Sequence, residues 1–164
     1  MSLILWLALA LSPTVEQAKP GQPVATAPTG PISTANPASI AAYLQKEGYR
    51  SKLFADDGSP YIESAANGAK FYIYLQNCKE DKDCQDLMFR SSYDLNKDKP
   101  VTIDTINLFN ADNRWARAYL NKDGEPVIEY DVLFTDQKVD EKMFGEAIAI
   151  WVDVLGTFHK AIDY

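Results

Sequence analysis

The chain has 164 residues, which is enough for one domain and some terminal sequence. Hydrophobic residues make up 46% and aromatic residues 12%, so a core can form without a metal ion or many disulfides. The formal net charge of −7 argues against nucleic acid and against an anionic membrane surface as partners. Both are bound through clustered lysine and arginine side chains, which an acidic chain does not favour.

An apolar run lies close to the N-terminus, at residues 3–11. It is too short to cross a bilayer, which takes about 20 residues, but it has the length of a signal-peptide core. No lysine or arginine precedes it, and cleavage after Ala18 would leave Glu16 where a small side chain is preferred. We predict a signal peptide over residues 1–18 and a periplasmic or secreted protein. An uncleaved N-terminal anchor and an ordinary helix are the alternatives.

Residues 19–36 are rich in proline, glycine, alanine, serine and threonine. Such a segment buries too little apolar surface to offset the entropy of ordering it, so we predict a flexible linker that its prolines partly extend. The folded domain is then expected over residues 37–164. We see no internal repeat in it.

Three helices and six strands are predicted in this domain. The helices begin at the N-caps Asn36, Thr102 and Asp140, and the last one carries a stripe of apolar residues at spacings of three and four. The strands are expected at 49–54, 61–64, 71–75, 87–95, 115–120 and 127–134. Asn67-Gly68 and Asp123-Gly124 are typical of hairpin turns. The order predicts an α+β fold, a mainly antiparallel sheet built of hairpins and packed with N-terminal, middle and long C-terminal helices.

Cys78 and Cys84, the only two cysteines, flank a five-residue loop between predicted strands. Opposed residues of an antiparallel pair are close enough for a disulfide, and an exported protein with two cysteines is expected to pair them. The spacing does not suit a zinc site, and it is not the C-x-x-C of a redox-active pair. We therefore predict a structural disulfide, no metal and no cofactor.

No catalytic constellation is recognisable in the sequence. His159, the only histidine, is expected on the surface near the end of the last helix, where the helix dipole favours a cation. A general base would also need a nucleophile beside it, and the sequence does not indicate one. We therefore predict that the protein is not an enzyme.

The stretch 110–119 contains the most distinctive polar residues. If the hairpin loop after it has an even number of residues, Trp115, Arg117 and Tyr119 share a face with Ile128, Tyr130 and Val132. Arg117 would then pack among aromatic rings, and Arg114 would satisfy carbonyls at the end of the preceding helix. The alternative is that these arginines bind a carboxylate or a phosphate. The candidate binding residues are Asn110, Arg114, Arg117 and Asp131.

The sequence from about residue 37 to the C-terminus resembles the YbjN-domain family, in an exported subgroup with a cysteine pair. The matching residues are Gly68-Ala69-Lys70-Phe71-Tyr72-Ile73-Tyr74, Asn77-Cys78, Cys84, Phe89-Arg90-Ser91, Asn110-x-x-x-Arg114-Trp115-x-Arg117-Ala118-Tyr119 and Glu129-x-Asp131. The resemblance implies a sensory-transduction regulator with a fold similar to type III secretion chaperones, and through that analogy protein binding. It carries no catalytic residues over to this chain.

Two functions follow as hypotheses. The first is a periplasmic protein-binding, chaperone-like or regulatory module, with an unidentified protein or a second copy of the chain as partner. The second is a small-ligand binder or enzyme that uses a polar cluster of Arg114, Arg117, Glu129 and Asp131. A cleft where these side chains converge would favour the second, and a flat or apolar sheet face would favour the first.

Overall fold

The computed structural model describes residues 32–55, 59–79, 84–94, 100–134 and 140–164. They form helices α1 (Pro37–Lys46), α2 (Ile103–Asp112) and α3 (Glu141–Ile162). The strands are β1 (Ser51–Ala55), β2 (Pro60–Ala66), β3 (Ala69–Gln76), β4 (Asp86–Ser92), β5 (Arg117–Leu120) and β6 (Pro126–Leu133). This order of elements and the α+β class confirm the prediction from the sequence.

The strands form one sheet in the order β1-β2-β3-β4-β6-β5, with every pair antiparallel. Asn67 and Gly68 make the two-residue turn between β2 and β3, and both have positive φ, at 51° and 82°. A two-residue turn with these angles matches the twist of the two strands that it joins. The predicted hairpin is therefore present, and it places β3 in the interior of the sheet.

All three predicted helix starts agree with the structure, and two of the three N-cap side chains make capping hydrogen bonds. The side chain of Thr102 accepts a hydrogen bond from the Thr105 N–H, and the Asp140 side chain accepts from the N–H groups of Lys142 and Met143. These bonds satisfy donors that the first turn of a helix leaves unpaired. Asn36 is the N-cap of α1 as predicted, with Pro37 in the first turn, but its side chain makes no capping hydrogen bond.

The three described helices all pack on one side of the sheet. α1 lies against β1 and β2, α3 against β6, and α2 against β5 and α3. The Trp151 ring of α3 contacts Phe71 and Phe89, with ring centroids 5.6 and 5.7 Å away. Strand residues on this side are buried at every second position, as in Ala69, Phe71, Ile73 and Leu75 of β3.

The predicted pairing of β5 with β6 is wrong by one residue. Leu120 pairs with Pro126, so the loop between them has five residues and not an even number. A shift of one residue turns every side chain of a strand to the other face. Arg117 therefore pairs with Glu129 and lies on the side away from the helices, while Ala118 pairs with Ile128 on the buried side.

The packed part of the chain also starts earlier than predicted. Ile32 and Thr34, which we assigned to the linker, are only 3% and 2% exposed, and Ile32 belongs to the main apolar cluster. The Thr34 hydroxyl donates a hydrogen bond to the Cys84 carbonyl at 2.7 Å. This contact fixes the segment before α1 at the end of the sheet where β3 stops and β4 starts. The predicted signal peptide and the first part of the predicted linker lie outside the described residues.

Candidate functional site: the open face of the sheet

The side of the sheet opposite the helices carries a continuous row of large side chains. Phe54, Tyr61, Tyr74 and Met88 are partners across β1, β2, β3 and β4, and we call them the aromatic row. Phe54 stacks on Tyr61 with ring centroids 5.1 Å apart, and Tyr61 lies 5.9 Å from Tyr74. All four side chains are partly exposed. We call this side of the sheet the open face, because no described helix covers it.

Tyr72 extends the aromatic surface toward the next row of side chains. Its ring lies 6.1 Å from both Tyr61 and Tyr74. Burial raises the pKa of the Tyr74 phenol, so this hydroxyl keeps its proton at neutral pH. Among the described residues, no group is hydrogen-bonded to the hydroxyl of Tyr72 or of Tyr74. Both hydroxyls are therefore available to a group that arrives on the open face.

A buried carboxylate, Glu129, lies beside these rings on the same face. Its side chain is only 4% exposed and accepts four hydrogen bonds. Nε and Nη2 of Arg117 donate to Oε2 at 2.9 and 2.7 Å. Nη1 of Arg90 and the hydroxyl of Tyr119 donate to Oε1 at 3.1 and 2.8 Å. The carboxylate is thus fully satisfied by its neighbours, which is what allows a charge to be buried at this position.

Arg90 and Arg117, the two arginines around Glu129, are both paired with acidic side chains of the same face. Nη1 of Arg117 also lies 3.3 Å from Oδ2 of Asp131, which is half exposed. The hydrogen bond to Glu129 raises the pKa of Arg117 further, so its positive charge is retained. Two arginines, one glutamate and one aspartate balance in charge. The cluster therefore supports the sheet and leaves little net attraction for a small anion.

The structure divides the predicted binding residues among three places. Arg117 and Asp131 meet on the open face, as described above. Asn110 projects from α2 to the edge of β5, where its amide donates to the Ala118 carbonyl and accepts from the Ala118 N–H, both at 2.9 Å. The guanidinium of Arg114 lies 4.8 Å from the centre of the Trp115 ring. The four residues do not form one site.

Arg114 does not satisfy the end of α2, as the sequence suggested. The N–H and the side-chain amide of Asn113 donate to the Phe109 carbonyl instead, at 3.0 and 2.9 Å. Trp115 is 59% exposed and precedes β5 rather than belonging to it. Its φ of 77° lies in the left-handed region, which bulky side chains rarely adopt. Arg114 therefore stacks on a ring that the backbone holds out into solvent.

His159 is buried, contrary to the prediction of a surface position. It is 7% exposed, and Nε2 is hydrogen-bonded to the Tyr93 hydroxyl at 2.7 Å. The Tyr164 ring lies 4.7 Å from the imidazole. Burial lowers the pKa of His159, so the imidazole is neutral at pH 7. Tyr93 and Tyr164 pack against this side chain, which a periodic pattern alone does not reveal.

Two clefts lie at the end of the sheet near the β2–β3 turn, with volumes of about 380 and 350 Å³. Residues 68–70 line both clefts. Neither is lined by Arg114, Arg117, Glu129 or Asp131. Within the described residues, no group of three or more His, Cys, Asp or Glu could hold a metal ion. The described part of the chain also has no helix long and apolar enough to cross a membrane.

The predicted disulfide between Cys78 and Cys84 is present. Cys78 is exposed and Cys84 is 2% exposed, and the Cys84 carbonyl accepts the Thr34 bond. The disulfide therefore joins the ends of β3 and β4 to the segment that precedes α1.

A sheet with three helices on one side and an aromatic, charge-balanced face on the other defines an α+β domain. Residues 36–163 match the sequence profile of the YbjN family, described as "Putative bacterial sensory transduction regulator". The chain belongs to this family.

A solved structure with a similar fold is the crystal structure of an uncharacterized protein from Methanothermobacter thermautotrophicus. The TM-score is 0.54 and the sequence identity 10%, and the alignment covers 76% of this chain and 94% of that one. At this identity the likeness concerns the fold alone. A comparison with curated proteins finds none that matches the chain.

The sequence analysis missed the aromatic row. The alternation Phe71-Tyr72-Ile73-Tyr74-Leu75 indicated a strand in the interior of the sheet, but large side chains on both faces hid which face the helices cover. The signal that could have identified the row is chemical. The buried side of β3 holds purely apolar residues, whereas the open side holds tyrosines, whose hydroxyls are most easily satisfied near solvent.

Proposed function

We propose that this protein is a non-enzymatic binding module that receives an extended segment of a protein partner on its open face, in the periplasm. The observation that carries the proposal is the aromatic row, four partly exposed side chains in register across four strands. Aromatic and methionine side chains are enriched at protein interfaces, where they supply large contact areas. The family description as a sensory-transduction regulator agrees with a protein that acts by binding another protein.

The charges on this face favour a protein segment over a small anion. Arg90 and Arg117 both form ion pairs with Glu129. A free phosphate or carboxylate would therefore have to displace an existing ion pair. A neutral, extended segment would contact the rings and leave those pairs intact. This supports the chaperone-like and regulatory alternative over a small-ligand site built on Arg117, Glu129 and Asp131.

The proposed location in the periplasm rests on the disulfide and on the apolar run at residues 3–11. Disulfides persist in oxidising compartments and are rare in the reducing cytosol. Cell fractionation with an intact-mass measurement tests the location. A full-length chain with free thiols in the cytoplasmic fraction would contradict it.

Site-specific photocrosslinking in cells tests the binding surface. A photoreactive phenylalanine analogue replaces Tyr74 on the open face, or Lys160 on the exposed surface of α3 as the control. We expect a protein adduct from position 74 that is absent from position 160. An adduct with twice the mass of the chain would identify a second copy as the partner. No adduct at position 74, or the same adducts at both positions, would contradict the proposed surface.

A further inference from the structure

The cleft of about 380 Å³ near the β2–β3 turn lies on the open face. The strand residues Lys52, Glu63, Ala65 and Lys70 line it, and each follows a buried residue of its own strand. Their side chains therefore point away from the helices, because successive residues of a strand face opposite sides. Ala65 and Gly68 are small and leave room for a group of another molecule.

The cleft lies beside the aromatic row. On β1, Phe54 of the row is two residues after Lys52, and on β2, Tyr61 is two residues before Glu63. Two residues of a strand span about 7 Å. A segment that runs along these strands can therefore contact the rings and enter the cleft.

Positive charge exceeds negative charge in the cleft. Arg50, Lys52 and Lys70 line it, and Glu63 is the one acidic residue of its lining. Nζ of Lys70 lies 3.4 Å from Oε2 of Glu63. Among the residues that the structure describes, no carboxylate lies within ion-pair distance of Arg50 or Lys52. The cleft is thus positive in a chain whose net charge is −7, whereas the cluster around Glu129 is balanced.

We infer that this cleft binds an aspartate or glutamate side chain of the same extended segment that the aromatic row receives. The inference rests on the proposed function, because it names the chemistry of the partner segment. Guanidinium and ammonium groups donate charge-assisted hydrogen bonds to carboxylates, and the three cations of the cleft supply such donors. The segment is therefore acidic over the cleft and apolar over the rings.

The exposure of the three cations explains why the carboxylate has to belong to a segment. Arg50 and Lys52 are exposed, and the side chain of Lys70 is 67% exposed. An exposed ion pair is weak, because water competes with it and salt screens it. A free carboxylate would have these contacts alone, whereas a segment adds its contacts with the rings.

The strand register gives the spacing between the acidic and the apolar residue of the segment. Ala65 has Lys70 as its partner on β3, and Arg50 immediately precedes β1 on the other side of β2. A carboxylate over Ala65 is therefore between cations. Tyr61 is four residues from Ala65 along β2, which is about 13 Å. An acidic and an apolar residue four positions apart in an extended segment match this distance.

Two synthetic peptides that bind to the full chain test the inference. Both have seven residues with acetylated and amidated ends, and both carry a phenylalanine at position 6. The first has a glutamate at position 2 and the second a glutamine, with serine and threonine elsewhere. Because the ends are blocked, the glutamate side chain is the only carboxylate. NMR titration of the protein amides measures the dissociation constants and locates the contacts.

We expect the glutamate peptide to bind about fivefold more tightly than the glutamine peptide, the size expected from a few exposed ion pairs. The difference should disappear in the double variant Arg50→Gln and Lys52→Gln. The matched control is Lys142→Gln with Lys160→Gln, two exposed cations of α3, and it should keep the wild-type difference. Thermal melts confirm that each variant is folded.

Equal affinities of the two peptides for the wild-type chain would overturn the inference. If both then shift the amides of Tyr61 and Tyr74 alike, binding on the aromatic row stands and the carboxylate site alone fails. A glutamate preference with shifts confined to residues 63–70 would instead refute binding on the row, and with it the single segment inferred here. The crosslink from position 74 tests the proposed function independently, because it uses no peptide.

A third peptide separates the two sources of a carboxylate. It carries the glutamine at position 2 and has a free C-terminus. Tighter binding of this peptide than of the glutamate peptide would assign the cleft to a chain end, and would overturn the assignment to a side chain. Weaker binding supports the side chain.

Discussion

Arg117 and Glu129 are partners across β5 and β6, and two N–H groups of the guanidinium donate to one carboxylate oxygen at 2.9 and 2.7 Å. The carboxylate is 4% exposed, whereas the Arg117 side chain is 61% exposed. The Arg117 side chain is thus largely in contact with solvent, while its guanidinium covers the buried Glu129 carboxylate. Its contribution to stability comes from this pair, and not from a position between aromatic rings as the sequence suggested.

Removal of Arg117 and removal of Glu129 should both destabilise the domain, and the loss of Glu129 should have the larger effect. Arg117→Ala leaves Glu129 with Arg90 and Tyr119, and we expect the free energy of unfolding to fall by about 1–2 kcal/mol. Glu129→Ala removes the acceptor of all four bonds, and we expect a loss of about 2–4 kcal/mol. Urea denaturation of the two variants measures both values.

Arg117→Lys and the double variant serve as controls for the pair. Lysine keeps the charge but cannot present two N–H groups in a fixed plane, so it should recover only part of the lost stability. In a double-mutant cycle, Arg117→Ala and Glu129→Ala should be non-additive by about 1 kcal/mol or more. Additive effects would mean that the two side chains stabilise the sheet independently.

Two serines on the buried side of the sheet provide a test of hydrogen bonding. Ser64 pairs with Ser51, and both hydroxyls are buried without a hydrogen-bond partner among the residues that the structure describes. Because alanine removes the unsatisfied group, Ser64→Ala should leave stability unchanged or raise it by up to about 1 kcal/mol.

Ser91→Ala is the matched control for that substitution. Ser91 is 1% exposed and donates to the Lys70 carbonyl at 2.7 Å. Its replacement leaves the acceptor without a partner, so we expect a loss of about 1 kcal/mol in urea melts. Equal effects of the two substitutions would show that the hydroxyl of Ser64 has a partner in solution.

The buried His159 predicts that stability falls at mildly acidic pH. Burial lowers its pKa in the folded state below the ordinary value of 6.5. The unfolded chain therefore binds a proton first as the pH is lowered, and protonation favours unfolding. Stability should be constant above pH 6.5 as far as this residue is concerned. It should fall below that pH, with a slope of at most about 1.4 kcal/mol per pH unit, until the folded state also binds the proton.

The measurement is a set of urea melts from pH 7.5 to pH 5.5, a range in which most carboxylates stay ionised. The control is His159→Gln, which keeps a polar partner for the Tyr93 hydroxyl and cannot titrate. We expect the variant to show a flatter pH dependence than the wild type. The same slope in both proteins would assign the effect to other groups.

The disulfide should stabilise the domain by about 2 kcal/mol, because it closes a short loop. Replacing Cys78 and Cys84 together by alanine should lower the free energy of unfolding by that amount and leave the fold intact, as judged by circular dichroism. The Thr34→Val variant, which removes the hydrogen bond to the Cys84 carbonyl, is a useful comparison. If the disulfide holds the segment before α1 in place, loss of the cysteines should reduce the effect of Thr34→Val.

Local chemistry predicted most of the fold. The caps at Thr102 and Asp140, the Asn67-Gly68 turn and the apolar stripe of α3 each depend on neighbouring residues only, so the sequence is sufficient to find them. The pairing of Cys78 with Cys84 is local in the same sense, since six positions separate them.

The parts that could not be predicted depend on contacts between distant residues. The orientation of Arg117 follows from a five-residue loop, and one residue more or less would have reversed it. The burial of His159 depends on Tyr93, which is 66 positions away. Nor does any local pattern show that no helix covers the tyrosines of β3. That depends on the side of the sheet on which three separate helices pack.

The amide of Asn110 has a consequence for assembly. It bonds to both backbone groups of Ala118 and so occupies the free edge of β5 in the way that another strand would. Edge strands are where sheets of separate molecules join, and growth into a fibre needs an edge on each side of the unit. Because a side chain of its own helix occupies this edge, we expect that strand addition, if it takes place at β1, would stop at a pair of molecules.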